Sequence, residues 1–139
     1  MMRMVLAFAL LTVPGISFAQ SGQVDLDAVE REIGRLEVHY GDIVSDIGCT
    51  APALPAHRLM CESARATPPT LWRVGRLDDL AWAYAYENAT KREIDRDDPP
   101  RDAAFIARRD ACRDEACLFS VLIEHTNASL GGESPYRAP

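Results

Sequence analysis

Four cysteines are the residues whose type and spacing most clearly imply chemistry in this 139-residue chain. Cys49 and Cys61 are twelve positions apart, and Cys112 and Cys117 are five apart. An even number of cysteines in a small exported domain is typical of a disulfide framework. Four cysteines allow three pairings, of which the local one, Cys49 with Cys61 and Cys112 with Cys117, is the simplest. The sequence therefore predicts a small stapled domain from an oxidising compartment.

A metal site is the rival interpretation of the first cysteine pair. His57 lies between Cys49 and Cys61 and could join them as a zinc ligand. The spacing differs from the C-x₂-C pattern of structural zinc sites, however, and the thiols of exported proteins oxidise. We therefore expect disulfides in this chain, with no metal and no other cofactor.

The N-terminal residues have the pattern of a secretory signal peptide. Arg3 supplies a positive charge, residues 4–13 form an apolar run, and residues 17–19 offer a small-x-small cleavage pattern. The apolar run is too short to span a bilayer, which takes about 20 residues. A retained membrane anchor is the less favoured alternative. We predict that residues 1–19 are removed, that no membrane span remains, and that the protein is periplasmic or secreted in a bacterial envelope.

The charge of the chain excludes some classes of partner. The full sequence carries a net charge of −6, and removal of Arg3 with the signal peptide makes the remainder more acidic by one. Nucleic acids and anionic membranes are bound by clustered Lys and Arg, so neither is an expected partner. A basic protein would be attracted to such a chain.

The segment 20–48 is predicted to be an amphipathic helix. Its apolar residues recur at alternating spacings of three and four, which is an a/d heptad pattern. One interpretation is a coiled coil that mediates self-association through residues 26–47. The other, which we favour, is a helix that packs on its own domain. The apolar positions are Leu26, Val29, Ile33, Leu36, Tyr40, Ile43 and Ile47.

Three further helices and one short helical stretch are predicted beyond the first cysteine. The short stretch covers 56–63, and a long helix capped by Thr67 runs to about residue 93. A third helix capped by Asp98 ends near Cys112, and a last helix spans 116–130. No stretch alternates apolar and polar residues as a strand would. The predicted fold is therefore all-α, with about four main helices, two local disulfides and a flexible tail at 131–139.

The region around the second cysteine pair resembles a known family. An aromatic residue stands four positions before an Arg-Asp pair, and a cysteine, a polar turn and a Cys-Leu pair follow. This arrangement resembles the C-terminal signature of the LprI-like lysozyme inhibitor domain, in which the aromatic residue is usually Trp. The residues that carry the resemblance are Phe105, Arg109, Asp110, Cys112, Cys117 and Leu118.

Upstream residues extend the resemblance over about 49–130. Cys49 and Cys61 are similar to the N-terminal cysteine pair of the family, and Leu77, Asp78 and Tyr84 are similar to its central helix. Besides Phe105 in place of Trp, the chain departs from the family pattern at three positions. Leu80 is one residue closer to the Leu-Asp pair than usual, and Leu122 and His125 stand where Tyr and Arg are commoner.

The resemblance implies an exported, helical, cysteine-stapled protein that binds a lysozyme or a related peptidoglycan hydrolase. The expected mechanism is steric occlusion of the hydrolase cleft, and the signature residues are expected to be structural, which leaves the binding residues unassigned. Two alternatives stay open. One is an envelope assembly protein that uses the heptad helix, and the other is an immunity protein against a secreted hydrolase.

The remaining polar residues do not predict an enzyme. His39, His57 and His125 lie on three separate segments, as surface or capping histidines often do. Asp78 and Asp79 are adjacent, so on a helix they diverge by about 100° and are expected to face solvent. Residues 108–110, Arg-Arg-Asp, are expected to form a local ion-pair cluster at the surface.

Four aromatic residues on the long predicted helix are candidates for a binding face. Aromatic side chains contribute strongly to binding when they fill a partner's pocket, although they also fill helical cores. We expect most of them to be core residues here. They are Trp72, Trp82, Tyr84 and Tyr86.

Overall fold

The computed structural model describes residues 24–137, and the predicted signal peptide lies outside the described residues. Within this range the chain forms five α-helices and no strand. The all-α prediction is confirmed: four helices correspond to the four predicted main helices, and the second helix in the chain corresponds to the predicted short stretch at 56–63. In chain order they are α1 Leu26–Tyr40, α2 Pro55–Ala64, α3 Thr70–Thr90, α4 Ala103–Asp110 and α5 Glu115–Leu130.

The first helix is shorter than the heptad pattern predicts. Its N-terminus is capped by Asp25, whose carboxylate accepts a hydrogen bond from the backbone N–H of Ala28. The helix ends at Tyr40, and the chain continues as an irregular segment, residues 41–47, that we call the strap. A side chain at Gly41 would place its Cβ only 2.7 Å from the carbonyl oxygen of Glu37, so this helix end requires glycine.

The apolar stripe of α1 and the strap faces the interior of its own domain. Val29, Ile33 and Leu36 are buried against α3, and Ile43 and Ile47 of the strap are also buried. Ion pairs from Arg73 to Glu30 and from Arg76 to Glu37 connect the edges of α3 and α1. The structure therefore favours the second interpretation of the stripe, since these side chains are already covered within one chain.

Helix α3 runs through the middle of the molecule and supplies both hydrophobic clusters. Leu71 and Val74 near its start share one cluster with residues of α2, α4 and α5, and its apolar residues from Leu77 onward share the other with α1 and the end of α5. Burial of apolar surface on both sides makes α3 the main contributor to the core. The buried apolar residues of α3 are Leu71, Val74, Leu77, Leu80, Ala81 and Ala83.

The helix starts that were predicted from capping residues are wrong at two places. Helix α3 begins at Thr70 rather than next to Thr67, and the hydroxyl of Ser63 on α2 accepts the hydrogen bond from the N–H of Trp72. Helix α4 is capped by Asp102 rather than Asp98, through a hydrogen bond from the N–H of Phe105. A free N–H group of the first turn is thus satisfied by a residue of another helix in α3, and by a residue later in the sequence than the predicted cap in α4.

Both disulfides form with the local pairing, as predicted. The Cys49–Cys61 bond joins the segment after the strap to α2, with 5.5 Å between the Cα atoms. The Cys112–Cys117 bond, also with a Cα separation of 5.5 Å, closes the corner between α4 and α5. The zinc interpretation is excluded for the first pair, because both of its sulfur atoms are used in the disulfide.

The segment expected to be a flexible tail is packed against the domain as far as the structure describes it. A 3₁₀ turn at Gly131–Glu133 follows α5, and the buried hydroxyl of Ser134 donates to the amide oxygen of Asn127. The ring of Tyr136 packs against both hydrophobic clusters. Burial raises the pKa of Tyr136, whose hydroxyl lies in the interior. No helix within residues 24–137 has the length and apolarity needed to cross a membrane.

Replacing Ile33 by alanine is expected to destabilise the folded protein by about 2–5 kcal/mol, because it removes a buried side chain and leaves a cavity against α3. The matched control on the same helix is Val38→Ala, since Val38 is 90% exposed and Ile33 only 1% exposed. The control should change the free energy of unfolding by no more than about 0.5 kcal/mol. Urea unfolding measures both, and equal effects would contradict the inward-facing stripe.

Candidate functional site

His125 on α5 connects three helices through its two ring nitrogens. Its Nδ1 lies 2.8 Å from Oδ1 of Asp78 on α3, and its Nε2 lies 3.1 Å from Oδ2 of Asp102, the cap of α4. The hydroxyl of Thr126 donates a second hydrogen bond, 3.0 Å long, to Oδ1 of Asp78. The buried carboxylate of Asp78 is thus hydrogen-bonded entirely by residues of α5, as a buried charge must be.

Two aromatic rings enclose the imidazole of His125. The ring of Phe105 is stacked on it with 3.8 Å between centroids and 5° between the planes. The ring of Trp82 lies 5.3 Å away on an inclined plane. The indole N–H of Trp82 donates to the carbonyl oxygen of Pro100, which holds the chain that leads into α4. A cationic imidazole between two aromatic rings gains cation–π attraction.

The surroundings of His125 favour its protonated form. Burial alone would lower the pKa of His125, but hydrogen bonds and Coulomb attraction from Asp78 and Asp102 raise it above its ordinary value. A neutral imidazole carries only one N–H, whereas both nitrogens here face carboxylate oxygens. The pKa of Asp102 is lowered by the backbone N–H of Phe105 and by His125. Burial raises the pKa of Asp78 as well, and the hydrogen bonds from His125 and Thr126 oppose that rise. Because both ring nitrogens face carboxylate oxygens, we describe the group as an imidazolium held between two carboxylates.

Arg109 forms a second buried charge cluster beside the first. Its guanidinium makes a bidentate pair with Asp46 of the strap, at 2.8 and 2.7 Å, and its Nε donates to Asp110 at 2.9 Å. The carboxylate of Asp110 also lies 2.9 Å from Nε2 of His57 on α2. The hydrogen bond from Arg109 lowers the pKa of Asp46, so this pair is ionised at neutral pH. The cluster ties the strap, α2 and α4 together.

A cavity of about 420 Å³ opens between the strap and α3, next to these two clusters. Four charged side chains line it: Arg76, Asp78, Asp79 and Arg109. The side chain of Asp79 is only 13% exposed, and its nearest cation is Nη1 of Arg101 at 3.9 Å. Burial, assisted by the adjacent charge of Asp78, raises the pKa of Asp79 to about 7.

The structure brings together four of the signature residues. Asp78, Phe105, Arg109 and Asp110 all belong to the two charge clusters, whereas Leu77 and Leu118 are buried in the hydrophobic core. Tyr84 lies apart from them on α3. The guanidinium of Arg35 lies over its half-buried ring, and its hydroxyl donates a hydrogen bond to Glu133. The cysteines Cys49, Cys61, Cys112 and Cys117 lie in the staples.

Three expectations about polar residues are corrected by these contacts. Asp78 and Asp79 do not face solvent, because α3 has neighbours on almost every side. Arg109 is only 3% exposed and is not part of a surface cluster, although Arg108 beside it is exposed and pairs with Glu124. His125 is neither a surface nor a capping residue.

Some of this arrangement carried a signal in the sequence. Asp78 lies four residues after Val74 and three before Ala81, so it shares their apolar helix face. Asp102 directly precedes the run of residues 103–106 as a cap would. Nothing in the local sequence marks Asp46 as the partner of Arg109, because 63 residues separate them.

The polar groups of the two clusters are engaged by contacts within the chain. Both nitrogens of His125 face carboxylates, so neither is free to take a proton from a substrate. Among residues 24–137, no three His, Cys, Asp or Glu side chains are arranged to hold a metal ion. The part of this region that is open to a ligand is the cavity with the carboxylate of Asp79.

Comparisons with models of known protein families, with curated proteins and with solved structures found no match to this chain.

Replacing Arg109 by methionine is expected to destabilise the protein by about 3–5 kcal/mol, because Asp46 and Asp110 would lose the cation that neutralises them in a partly buried site. The matched control is Arg108→Met, one residue earlier on the same helix. Its exposed ion pair contributes little, so the control should stay within about 0.5 kcal/mol of the original protein. Chemical unfolding of both variants tests this, and similar losses would contradict the buried cluster.

Replacing Asp79 by asparagine is expected to stabilise the protein above pH 7 and to have little effect near pH 4. The folded-state pKa of Asp79, about 7, is raised above the ordinary value of 3.8, so ionisation opposes folding as the pH rises between these values. The variant removes this cost, which amounts to at most about 4 kcal/mol.

The measurement is the free energy of unfolding of both proteins from acid to mildly alkaline pH. Asp97→Asn is the control, because Asp97 is an exposed carboxylate. A stabilisation by Asp79→Asn that is the same at all pH values would show that Asp79 ionises normally.

Proposed function

We propose that this chain is an exported binding domain without catalytic activity. By its resemblance to the LprI-like family, its partner is a lysozyme or a related peptidoglycan hydrolase, which it inhibits by covering the cleft. The observation that carries this proposal is the interior network in which Asp78, Phe105, Arg109 and Asp110 meet. These four residues all belong to the set that carries the resemblance, and a shared structural role explains why they would occur together.

The chemistry at position 125 supports the same proposal. The family commonly has Arg where this chain has His125. As an imidazolium, His125 supplies a positive charge to Asp78 at the same position. The substitution therefore keeps the charge pairing that a buried aspartate needs.

The two disulfides support an exported location. Cysteines that are all paired are typical of the periplasm and the extracellular space, where disulfides persist. Each disulfide also restricts a connection between helices. Because the chain is already restricted there, a binding surface would lose less conformational entropy on association. A rigid body of this kind is suited to blocking a cleft.

The polar interior supports binding rather than catalysis. Its most buried histidine, His125, has both ring nitrogens engaged, and Arg109 is saturated by Asp46 and Asp110. The assembly alternative relied on the heptad stripe for self-association. The stripe packs inside the domain, so no observation favours that alternative over inhibition.

The acidic charge gives the proposal an electrostatic prediction. A chain with a net charge of −6 is attracted to a basic lysozyme, and attraction of this kind raises the association rate. Inhibition should therefore be stoichiometric and should form fastest at an ionic strength of about 0.01 M, where the Debye length is about 30 Å. At about 0.15 M, where the Debye length is about 8 Å, association should slow.

The test is a titration of several lysozyme classes with the purified oxidised protein at both ionic strengths, with turnover of peptidoglycan as the readout. The reduced protein is the control, and circular dichroism checks whether each sample is folded. Inhibition that is lost on reduction would support the proposal and show that the staples are necessary. A folded, oxidised protein that inhibits no lysozyme class would overturn it.

A further inference from the structure

The cavity between the strap and α3 has the size and lining of a small-molecule site. Its volume of about 420 Å³ lies in the range that holds small organic ligands in proteins. Most of its wall is apolar, with residues from the strap, α2, α3, α4 and α5. The apolar side chains that line it are Ile43, Ile47, Met60, Trp72, Phe105 and Leu122.

Three of the four charged groups in the cavity wall already have partners. Asp78 accepts hydrogen bonds from His125 and Thr126. Arg109 is bound to two carboxylates, as described above. Arg76 pairs with Glu37 and also donates to backbone carbonyl oxygens of the strap. These groups have little remaining capacity to bind a ligand.

Asp79 is the exception among these four. No group in the described part of the chain donates a hydrogen bond to its carboxylate, and Arg101 approaches it no closer than 3.9 Å. A carboxylate that is removed from water without a donor is energetically costly. A bound molecule with a donor, and above all with a positive charge, would offset that cost.

We propose that this cavity binds a small primary amine with an apolar body, whose ammonium group pairs with the carboxylate of Asp79. The hydrocarbon part of the ligand lies along the apolar wall formed by Ile43, Met60 and Trp72. A hydrogen bond to an ionised group in a partly dry site is stronger than one in water. The two arginines in the wall do not repel the ammonium group strongly, because Arg109 is paired with Asp46 and Asp110, and Arg76 is paired with Glu37.

The charges that surround Asp79 make this binding depend on pH. Asp78 on α3 and Asp46 on the strap face it as anions, and Arg101 and Arg109 face it as cations. The imidazolium of His125 lies beyond Asp78. Because an ammonium ligand binds the ionised form of Asp79, affinity should rise by about tenfold between about pH 6 and about pH 8.

The experiment is calorimetric titration of the purified oxidised protein with 2-phenylethylamine, which remains an ammonium ion over this pH range. Its comparison ligand is 3-phenylpropionate, an anion with a similar apolar body. We expect the amine to bind and the anion not to bind. Quenching or shift of tryptophan fluorescence gives a second readout, since Trp72 lines the cavity.

The deciding variant is Asp79→Asn, which keeps the shape of the side chain and removes its charge. It should weaken binding of the amine by about 10- to 100-fold and abolish the rise with pH. Asp97→Asn, which removes one exposed charge, should leave the affinity unchanged. No binding of the amine by the folded protein, equal binding of the anion, or unchanged affinity in Asp79→Asn would each overturn the proposal.

This inference is independent of the proposed inhibition of a hydrolase. The amine site is tested by direct binding to the protein alone, and the inhibitory function is tested by hydrolase turnover. Failure of one experiment therefore leaves the other proposal standing.

Discussion

Buried charges are the constraint on which the rest of this structure depends. An ionised group inside a protein must be paired and hydrogen-bonded, or it is too costly to keep there. Here the imidazolium of His125 lies between Asp78 and Asp102, and the guanidinium of Arg109 lies between Asp46 and Asp110. These contacts fix the positions of α3, α4, α5 and the strap relative to one another, because moving any of them would leave a charge in the interior without its partner.

The remainder of the structure is arranged around these two clusters. Hydrophobic burial on both sides of α3 supplies most of the favourable free energy, while the charge pairs select one arrangement of the helices. The disulfides close the connection that leads into α2 and the corner between α4 and α5. One carboxylate, that of Asp79, is left in the cavity wall without a hydrogen-bond partner among the described residues. It is therefore the group most available to a ligand.

The same organisation relates the proposed functions to the fold. Most of the residues that carry the resemblance are buried, so they would define the scaffold rather than the surface of the proposed interaction. A family that kept such a scaffold could vary its exterior for different targets, since binding depends on the side chains that the scaffold presents. The cavity beside Asp79 belongs to the scaffold, and a ligand bound there would contact the strap and α3 together.

The sequence by itself determined the helical class and the approximate positions of the helices, and it favoured the local disulfide pairing and the packing of the α1 stripe on its own domain. These follow from periodicity, composition and short spacings, which are local properties of the chain. The tertiary structure alone decided the end of α1 at Tyr40, the cap of α3 by Ser63, and the burial of Asp79. It also decided the pairing of Arg109 with Asp46, 63 residues away. The physical reason is that a charged residue is expected at the surface when only the local sequence is considered. Its burial depends on a partner that packing brings close and on the exclusion of water, and packing joins residues that are distant in the chain.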